Sequence, residues 1–531
     1  MTSDSPITLF LQPLDVDINK IHALARSLCE TFKKLAKEST NQFLQTPISE
    51  EVLRPEKEKE GRYLAVDIGG SNLRAGFIEL SGSSTEGGVI LPGEINRLLE
   101  KSWQIGEDHK SNNAYELFVW IGKCIAEVVQ DGVDKWGLQL PSELPMGVTM
   151  SFPMIQKSLS EAILMSMGKG FAITSNLNLG QQLLKGYEIS SKPHLPRIKI
   201  TAIVNDSVAT LISFAHQHRH TLHQKPSMGL IVGTGCNATI PLSISKLHST
   251  KQPSAILKSE DHKQNDTKII INTEWSINGT APPLSALNFI TKWDTILDAN
   301  SEAPGFMPFE YMTGGKYLGE LGRLIIFDYF TTQLQLPVET IPLVLRKRNA
   351  LDASVLAKVG REDQLCQPLD LAMPFPVDPN TGKQKKWTPE MADIIVQVAK
   401  TIQKRAAGML AAAIIGLLTT ANEIHLSSSS SRPNSSSNTS SSEASQPTKS
   451  TQPSDNITEL FVGYTGSCIS HFQDYLADCQ AYLDDIMRKE HGPDKGGKRI
   501  VLEACMYGSI IGAGILAGTV EGMEEEKKKC G

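Results

Sequence analysis

The sequence lacks the features that mark disulfide-rich, membrane-spanning and nucleic-acid-binding proteins. Eight cysteines are scattered over 531 residues without the close pairs of metal sites, which predicts reduced thiols in a cytoplasmic protein. Met1 to Leu11 has no basic region before an apolar core, so we expect no signal peptide. The longest apolar run, Ala406 to Ala421, is shorter than the roughly 20 residues of a membrane span and predicts a buried helix. A formal net charge of -6 gives no reason to expect nucleic acid or an anionic membrane as a partner.

Length and composition predict a soluble protein of two or three domains. A chain of 531 residues is too long for one hydrophobic core, and 40% hydrophobic with 21% charged residues is ordinary for a globular protein. One interval, Ser427 to Asp455, is nearly all Ser, Thr, Asn, Pro and Gln. It has too few apolar residues to offset its ordering entropy, so we expect a disordered insertion at residues 427–455. Such an insertion is either a tolerated surface loop or a regulatory contact with a protein partner.

The most informative stretch is Tyr63 to Phe77, in which two apolar runs flank Asp67-Ile68-Gly69-Gly70-Ser71-Asn72. This pattern predicts a strand, a turn and a second strand. Glycines let a backbone approach an anion closely, Ser71 and Asn72 add donors, and Asp67 stands where a hydrated cation is within reach. Taken alone, the stretch fits a plain hairpin as well as it fits a phosphate-binding turn.

Apolar spacing predicts further strands and helices along the chain. We expect helices over Ile18–Ala36, Tyr115–Val129, Ser160–Met167 and Val208–His216, and strands over Lys101–Ile105, Met146–Phe152, Ile198–Val204, Met228–Val232 and Leu460–Gly463. The strand ending at Val232 runs into a second glycine turn, Gly233-Thr234-Gly235. A strand with a glycine turn therefore begins a set of strands and helices twice, which predicts an α/β protein with two related halves.

Polar residues follow several of the predicted strands. Asn205-Asp206 ends one strand and begins a helix, where a carboxylate suits a ligand, although an isolated aspartate there is more often a helix cap. Gly466-Ser467 forms a third small-residue turn after a strand. Glu274 and Glu310 stand apart from charge runs, and each would otherwise be a surface or capping residue.

From about residue 60 to about 520 the chain resembles the hexokinase family of the actin-like ATPase superfamily, and six motifs match those of the family in order. They are Asp67–Arg74, Thr149–Pro153, Ile203–Thr210, Gly229–Ala238, Ile271–Trp275 and Thr313–Glu320. The resemblance implies an α/β, two-lobed actin-like ATPase (ribonuclease-H-like) hexokinase fold with a sugar and ATP cleft between the lobes. It implies an N-terminal half over residues 15–220 and a C-terminal half over residues 225–522.

The resemblance also implies a role for each matching residue. Asp206 would be the general base that takes the proton of the sugar's primary hydroxyl. The sugar-binding residues would be Ser151, Lys169, Asn205, Asp206, Asn237, Glu274 and Glu310. The ATP-binding residues would be Asp67, Gly69, Gly70, Ser71, Asn72, Arg74, Gly233, Thr234 and Gly235 around the phosphates, with Gly466 and Ser467 near the adenosine. Mg²⁺ would arrive with ATP, mostly coordinated by water, with Asp67 in its outer shell and no direct protein ligand.

Several segments depart from the usual family pattern. Met167-Gly168-Lys169-Gly170-Phe171 stands where the family usually has Trp-Thr-Lys-Gly-Phe, so a threonine contact to the sugar and the bulk of a tryptophan are absent. Lys101–Gly106, Gly463–Ser467 and Ser509–Ala513 resemble fungal relatives that phosphorylate N-acetylglucosamine. The resemblance therefore implies an ATP-dependent N-acetylglucosamine 6-kinase of amino-sugar catabolism. The alternatives are a glucose or broad hexose kinase and a catalytically weak sugar sensor that acts through a partner.

Overall fold

The computed structural model describes most of the chain. The described residues are 5–53, 59–81, 84–86, 89–91, 93–111, 113–156, 158–165, 177–217, 223–251, 267–359, 366–427, 457–492 and 497–530. The predicted insertion lies outside them except for Ser427, and so does the departing segment Met167–Phe171, which includes the predicted sugar ligand Lys169.

The described residues form strands and α-helices in both halves of the chain. The strands are β1 Leu44–Ser49, β2 Gly61–Ile68, β3 Asn72–Leu80, β4 Ser84–Glu86, β5 Val89–Leu91, β6 Ile95–Gln104, β7 Glu143–Met150, β8 Met154–Gln156, β9 Ala162–Leu164, β10 Leu177–Asn178, β11 Arg197–Asn205, β12 Gln224–Val232, β13 Cys236–Ser243, β14 Lys268–Asn272, β15 Glu459–Thr465 and β16 Arg499–Ala504. The α-helices are α1 Pro6–Leu11, α2 Ile18–Glu38, α3 Glu107–Ser111, α4 Ala114–Trp136, α5 Leu179–Ser190, α6 Asp206–Gln217, α7 Ala281–Ala286, α8 Lys292–Ala299, α9 Pro308–Thr313, α10 Gly315–Thr332, α11 Leu343–Arg346, α12 Ala353–Lys358, α13 Cys366–Ala372, α14 Pro389–Thr420, α15 Ser467–His471, α16 Tyr475–His491 and α17 Gly508–Cys530.

Two sheets repeat one topology. The five-stranded sheet has the order β11-β7-β2-β3-β6, and the six-stranded sheet has the order β1-β14-β13-β12-β15-β16. In the first sheet, β2 pairs antiparallel with β3 and parallel with β7. In the second, β12 pairs in the same way with β13 and β15. The repeated pattern confirms the predicted α/β fold with two related halves.

Both ends of the chain contribute to the sheet that the other half builds. β1 pairs with β14, and α2 packs on α14 in the largest core. The C-terminal helix α17 packs across β2, β3, β7 and β11. Its contact with β7 is close, because a Cβ at Gly147 would lie 2.0 Å from the carbonyl oxygen of Ala513. Segments near each end of the chain therefore pack in the lobe that the other half of the chain builds. The boundaries of the two halves at residues 15–220 and 225–522 stay a prediction.

Helix α14 contains the longest apolar run of the sequence. The helix is long and apolar enough to cross a membrane, but 89% of its most apolar window is buried inside the protein. It packs against α2 and α16, and residues Ala406–Leu418 are buried. The prediction of a buried helix over Ala406–Ala421 is confirmed, and the helix extends further toward its N-terminus than the apolar run indicated.

One predicted element is wrong. The stretch Ser160–Met167 is predicted to form a helix, but the structure has a short strand, β9, that pairs antiparallel with β8 and β10. Ala162 and Leu164 are buried while Ile163 between them is partly exposed, which is the period of two that a strand requires. The pairing of β9 with two neighbouring strands determines the conformation of this stretch. A stretch this short cannot be assigned to a helix or a strand from its apolar spacing alone.

Candidate active site

A cavity of about 230 Å³ lies where strands of both sheets end. Its wall includes the turn after β2, the end of β11 and the turn after β12. Fifteen of the predicted site residues line it: Asp67, Gly69, Gly70, Ser71, Asn72, Arg74, Ser151, Asn205, Asp206, Thr234, Gly235, Asn237, Glu274, Glu310 and Gly466. Carboxyl ends of parallel strands are where α/β sheets place ligands.

A second cavity, of about 710 Å³, adjoins the first. Gly70, Ser71 and Thr234 line both cavities, and the predicted nucleotide residues Gly233 and Ser467 line the second one only. The far wall of this cavity comes from α12 and the loop before it, including Asn349, Leu351, Asp352, Ser354 and Lys358. The two glycine turns therefore stand at the junction of a smaller polar cavity and a larger one.

Asp206 occupies the first position of α6, directly after β11. Its Oδ2 accepts a hydrogen bond of 2.6 Å from the hydroxyl of Ser151, which follows the neighbouring strand β7. Its Oδ1 accepts the backbone N–H of Ser207 at 2.9 Å. The carboxylate is thus fixed in orientation at the edge of the cavity, which is what a general base requires.

Asp67 is the residue before the last in β2 and is 5% exposed. Its Oδ1 accepts a hydrogen bond from the Thr149 hydroxyl at 2.8 Å, and its Oδ2 accepts one from Arg74 at 3.2 Å. Burial raises the pKa of Asp67 to about 6, although the Thr149 hydroxyl and the Arg74 charge oppose the rise and the nearby charge of Asp206 adds to it. Both carboxylate oxygens are therefore already engaged by protein donors.

Glu310, on α9, presents a carboxylate that the protein satisfies on one side only. The residue is 4% exposed, and its Oε2 accepts the backbone N–H of Cys236 at 3.0 Å. Its buried Oε1 has no hydrogen-bond partner among the described residues. Glycine at position 235 makes this contact possible, because a Cβ there would lie 2.4 Å from Oε2. Glu310 also lines the smaller cavity, and a buried carboxylate oxygen without a partner is costly unless a ligand or water donates to it.

Asn237 and Glu274 are connected by a residue that the sequence did not predict. Asn272, the last residue of β14, accepts a hydrogen bond from Asn237 at 2.8 Å and donates one to Glu274 Oε1 at 2.8 Å. Glu274 has a φ of 46°, and its carbonyl oxygen accepts the side-chain amide of Gln42 at 2.9 Å. The hydrogen bond from Gln42 therefore stabilises the left-handed backbone of Glu274, whose side chain forms part of the cavity wall.

The structure adds site residues that sequence reasoning missed. Ser276, Phe306 and Met307 line the smaller cavity, and Ser509 reaches it from the start of α17. Asn272 stood inside one of the quoted motifs, so its position carried a signal. The loop before α12 carried none, because it has neither apolar periodicity nor a glycine turn.

The model of one family, described as Hexokinase, matches residues 227–519, and a second model with the same description matches residues 6–216. The chain belongs to the hexokinase family. Hexokinase of Schistosoma mansoni is 30% identical over 357 residues, which is 66% of this chain and 71% of that protein. Hexokinase of Brugia malayi is 30% identical over 273 residues, which is 51% of this chain and 43% of that protein. The chain thus spans less than half of the latter relative.

The solved structure of the Schistosoma mansoni hexokinase complexed with glucose shares the fold. Its TM-score is 0.72 at 23% identity, and the match covers 97% of this chain and 98% of that one. The predicted two-lobed hexokinase fold is therefore confirmed. The relatives named here are hexokinases and do not distinguish the N-acetylglucosamine branch within the hexokinase family.

Proposed function

We propose that this hexokinase-family chain transfers the terminal phosphoryl group of ATP to the 6-hydroxyl of a sugar, with Asp206 as the general base. One observation carries the proposal: two cavities meet at the two glycine turns, and the oriented carboxylate of Asp206 faces the smaller one. A sugar in the smaller cavity and ATP in the larger one would bring their reacting ends together at this junction. Phosphoryl transfer depends on such positioning more than on covalent chemistry.

The polar wall of the smaller cavity supports a sugar as the acceptor. Glu274 and Glu310 supply carboxylates to this wall, and Asn205 and Asn237 supply amides. The buried Oε1 of Glu310 would accept a hydrogen bond from a ring hydroxyl. Buried groups of this kind reject molecules that leave them unpaired, so a sugar would be selected by its pattern of hydroxyls.

The turn Gly69–Asn72 and the turn Gly233–Gly235 would hold the ATP phosphates from two sides. Mg²⁺ would supply charge neutralisation at the transferred phosphoryl group. Thr149 and Arg74 already engage both oxygens of Asp67. The carboxylate therefore fits an outer-shell role, in which it accepts hydrogen bonds from metal-bound water, better than direct ligation.

Within this class we propose N-acetylglucosamine as the preferred sugar. Support comes from the sequence segments Lys101–Gly106, Gly463–Ser467 and Ser509–Ala513, the last two of which contribute Thr465, Gly466 and Ser509 to the cavity wall. The alternative is a glucose or broad hexose kinase. A further alternative is a catalytically weak regulatory sensor that works from the cytoplasm through a partner.

A coupled kinase assay with equal concentrations of N-acetylglucosamine and glucose tests the proposal. We expect turnover of both to depend on Asp206, with Asp206→Ala lowering kcat by about 10²- to 10⁴-fold while sugar binding persists. Faster turnover of N-acetylglucosamine than of glucose supports the proposed sugar preference. A clear preference for glucose supports the alternative of a glucose or broad hexose kinase. Sugar binding without turnover of either substrate would instead favour the sensor.

A further inference from the structure

We infer that Glu320 and Arg323 are positioning residues that set the affinity for ATP by holding the far wall of the larger cavity. Glu320 ends the sixth sequence motif, Thr313–Glu320, which no step of the proposed reaction uses. The inference rests on the proposed function, because it assigns this cavity to ATP.

The two side chains form a buried, bidentate ion pair on α10. Each residue is 7% exposed. Arg323 Nε donates to Glu320 Oε2 at 2.7 Å, and Arg323 Nη2 donates to Glu320 Oε1 at 2.6 Å. Paired, parallel hydrogen bonds of this kind fix both side chains in one geometry.

Both members of the pair also hold the loop that precedes α12. Glu320 Oε2 accepts the backbone N–H of Asn349 at 2.6 Å, and Arg323 Nη1 donates to the carbonyl oxygen of Leu345 at 2.7 Å. Asn349 has a φ of 55°, a left-handed conformation that persists where the surroundings impose it. Asn349 lines the larger cavity together with Leu351 and Asp352, so the ion pair fixes the backbone of a cavity wall.

The same helix supports the opposite side of this cavity through its first turn. The backbone N–H of Gly315 donates to the carbonyl oxygen of Gly233 at 2.8 Å, and that of Lys316 donates to the carbonyl oxygen of Thr234 at 3.1 Å. Along the helix, Gly319 lies so close to the loop that a Cβ would meet the Leu351 carbonyl oxygen at 2.4 Å. Helix α10 therefore sets the distance between the second glycine turn and the loop wall.

Glu320→Gln separates this positioning role from a merely structural one. The carboxylate accepts three hydrogen bonds, and an amide cannot replace it because its nitrogen only donates. We expect the KM and Kd for ATP to rise by up to about tenfold, because the whole energy of one charge-assisted hydrogen bond within the protein is the upper bound on the lost ATP binding, while the sugar Kd stays unchanged. Asp294→Asn is the matched control, since Asp294 forms an equally buried bidentate pair with Arg405 at 2.7 and 2.8 Å. It should lower Tm and leave the affinity for ATP unchanged.

Calorimetric titration with Mg-ATP, alongside steady-state kinetics and thermal unfolding, separates the possible outcomes. A folded Glu320→Gln protein that binds ATP as tightly as the wild type overturns the inference alone. A wild type that binds sugar but no ATP overturns the proposed function together with the inference. If Glu320→Gln does not fold, Gly319→Ala tests the same wall, because its methyl group displaces the Leu351 carbonyl. It should weaken ATP binding to a similar degree, and unchanged binding would refute the inference.

Discussion

Adding one methyl group at Gly235 tests how the smaller cavity recognises its ligand. A Cβ at this position would lie 2.4 Å from Oε2, 2.9 Å from Cδ and 3.2 Å from Oε1 of Glu310. Glu310 is 4% exposed, so its carboxylate is enclosed and must shift against packed neighbours. The backbone of residue 235 does not require glycine, because its φ lies outside the left-handed region. Gly235→Ala should therefore fold and displace the Glu310 carboxylate.

The size of the effect follows from the hydrogen bonds that are lost. Displacement breaks the 3.0 Å bond from the Cys236 N–H and moves the buried Oε1 away from the proposed sugar hydroxyl. One hydrogen bond to a charged group contributes about 1.5–3 kcal/mol. At about 1.4 kcal/mol per tenfold change, sugar affinity should fall by about 10- to 160-fold.

The assay compares sugar KM, sugar Kd and thermal stability in Gly235→Ala and a control. Gly106→Ala is the matched control, because its Cβ would find its nearest neighbour, His109 Nδ1, at 3.8 Å. The control should retain wild-type sugar affinity. A folded Gly235→Ala protein with unchanged sugar Kd would refute the assignment of Glu310 to the sugar, whatever its activity.

Three further predictions concern buried polar groups. Because the pKa of Asp67 is raised to about 6 from 3.8, its contribution to stability is present below about pH 4 and is lost as the pH rises through 6. In urea unfolding, the free energy of unfolding of the wild type should fall by about 3 kcal/mol relative to that of Asp67→Asn between about pH 4 and pH 7. The same pH dependence of this free energy in both proteins would contradict the prediction. Asn272→Leu should raise sugar Kd by about tenfold without changing ATP Kd, since it removes the amide that joins two proposed sugar contacts. Asp294→Asn should lower the free energy of unfolding by about 3–5 kcal/mol, because it leaves Arg405 buried and uncompensated, and a loss below 1 kcal/mol would contradict this.

Local chemistry explains why the glycine turns were predictable. The stretch from Asp67 to Arg74 combines an apolar run, two glycines and small donors, and these properties act within a few residues of one another. Residues of this turn and of the second glycine turn line the same cavity. The position of Asp206 was predictable for the same reason, because the residue comes directly after the end of strand β11.

The burial of the Glu310 carboxylate was not predictable from its sequence neighbours. Its burial depends on α9 packing against the turn after β12, a contact between residues 74 positions apart. The role of Asn272 has the same origin, because Asn237 and Glu274 become neighbours only through the pairing of β13 with β14. The wall at Asn349 is held by an ion pair on a different helix. Such features depend on tertiary packing, which hydrophobic periodicity does not report.

The junction of the two cavities limits where the proposed phosphoryl transfer can occur. Within the described part of the chain, only Gly70, Ser71 and Thr234 line both cavities, and they belong to turns of different sheets. A phosphoryl group moving between the cavities must therefore pass between the two turns, within reach of donors from both lobes. Asp206 lines the smaller cavity, which we assign to the sugar, and accepts a hydrogen bond from Ser151, in the same lobe as the first turn. The next residue, Ser207, forms a hydrogen bond of 2.6 Å with Thr239 of the other sheet, and α6 packs on β12. A motion that changes the distance between the sheets would therefore alter both the junction and the surroundings of the proposed base.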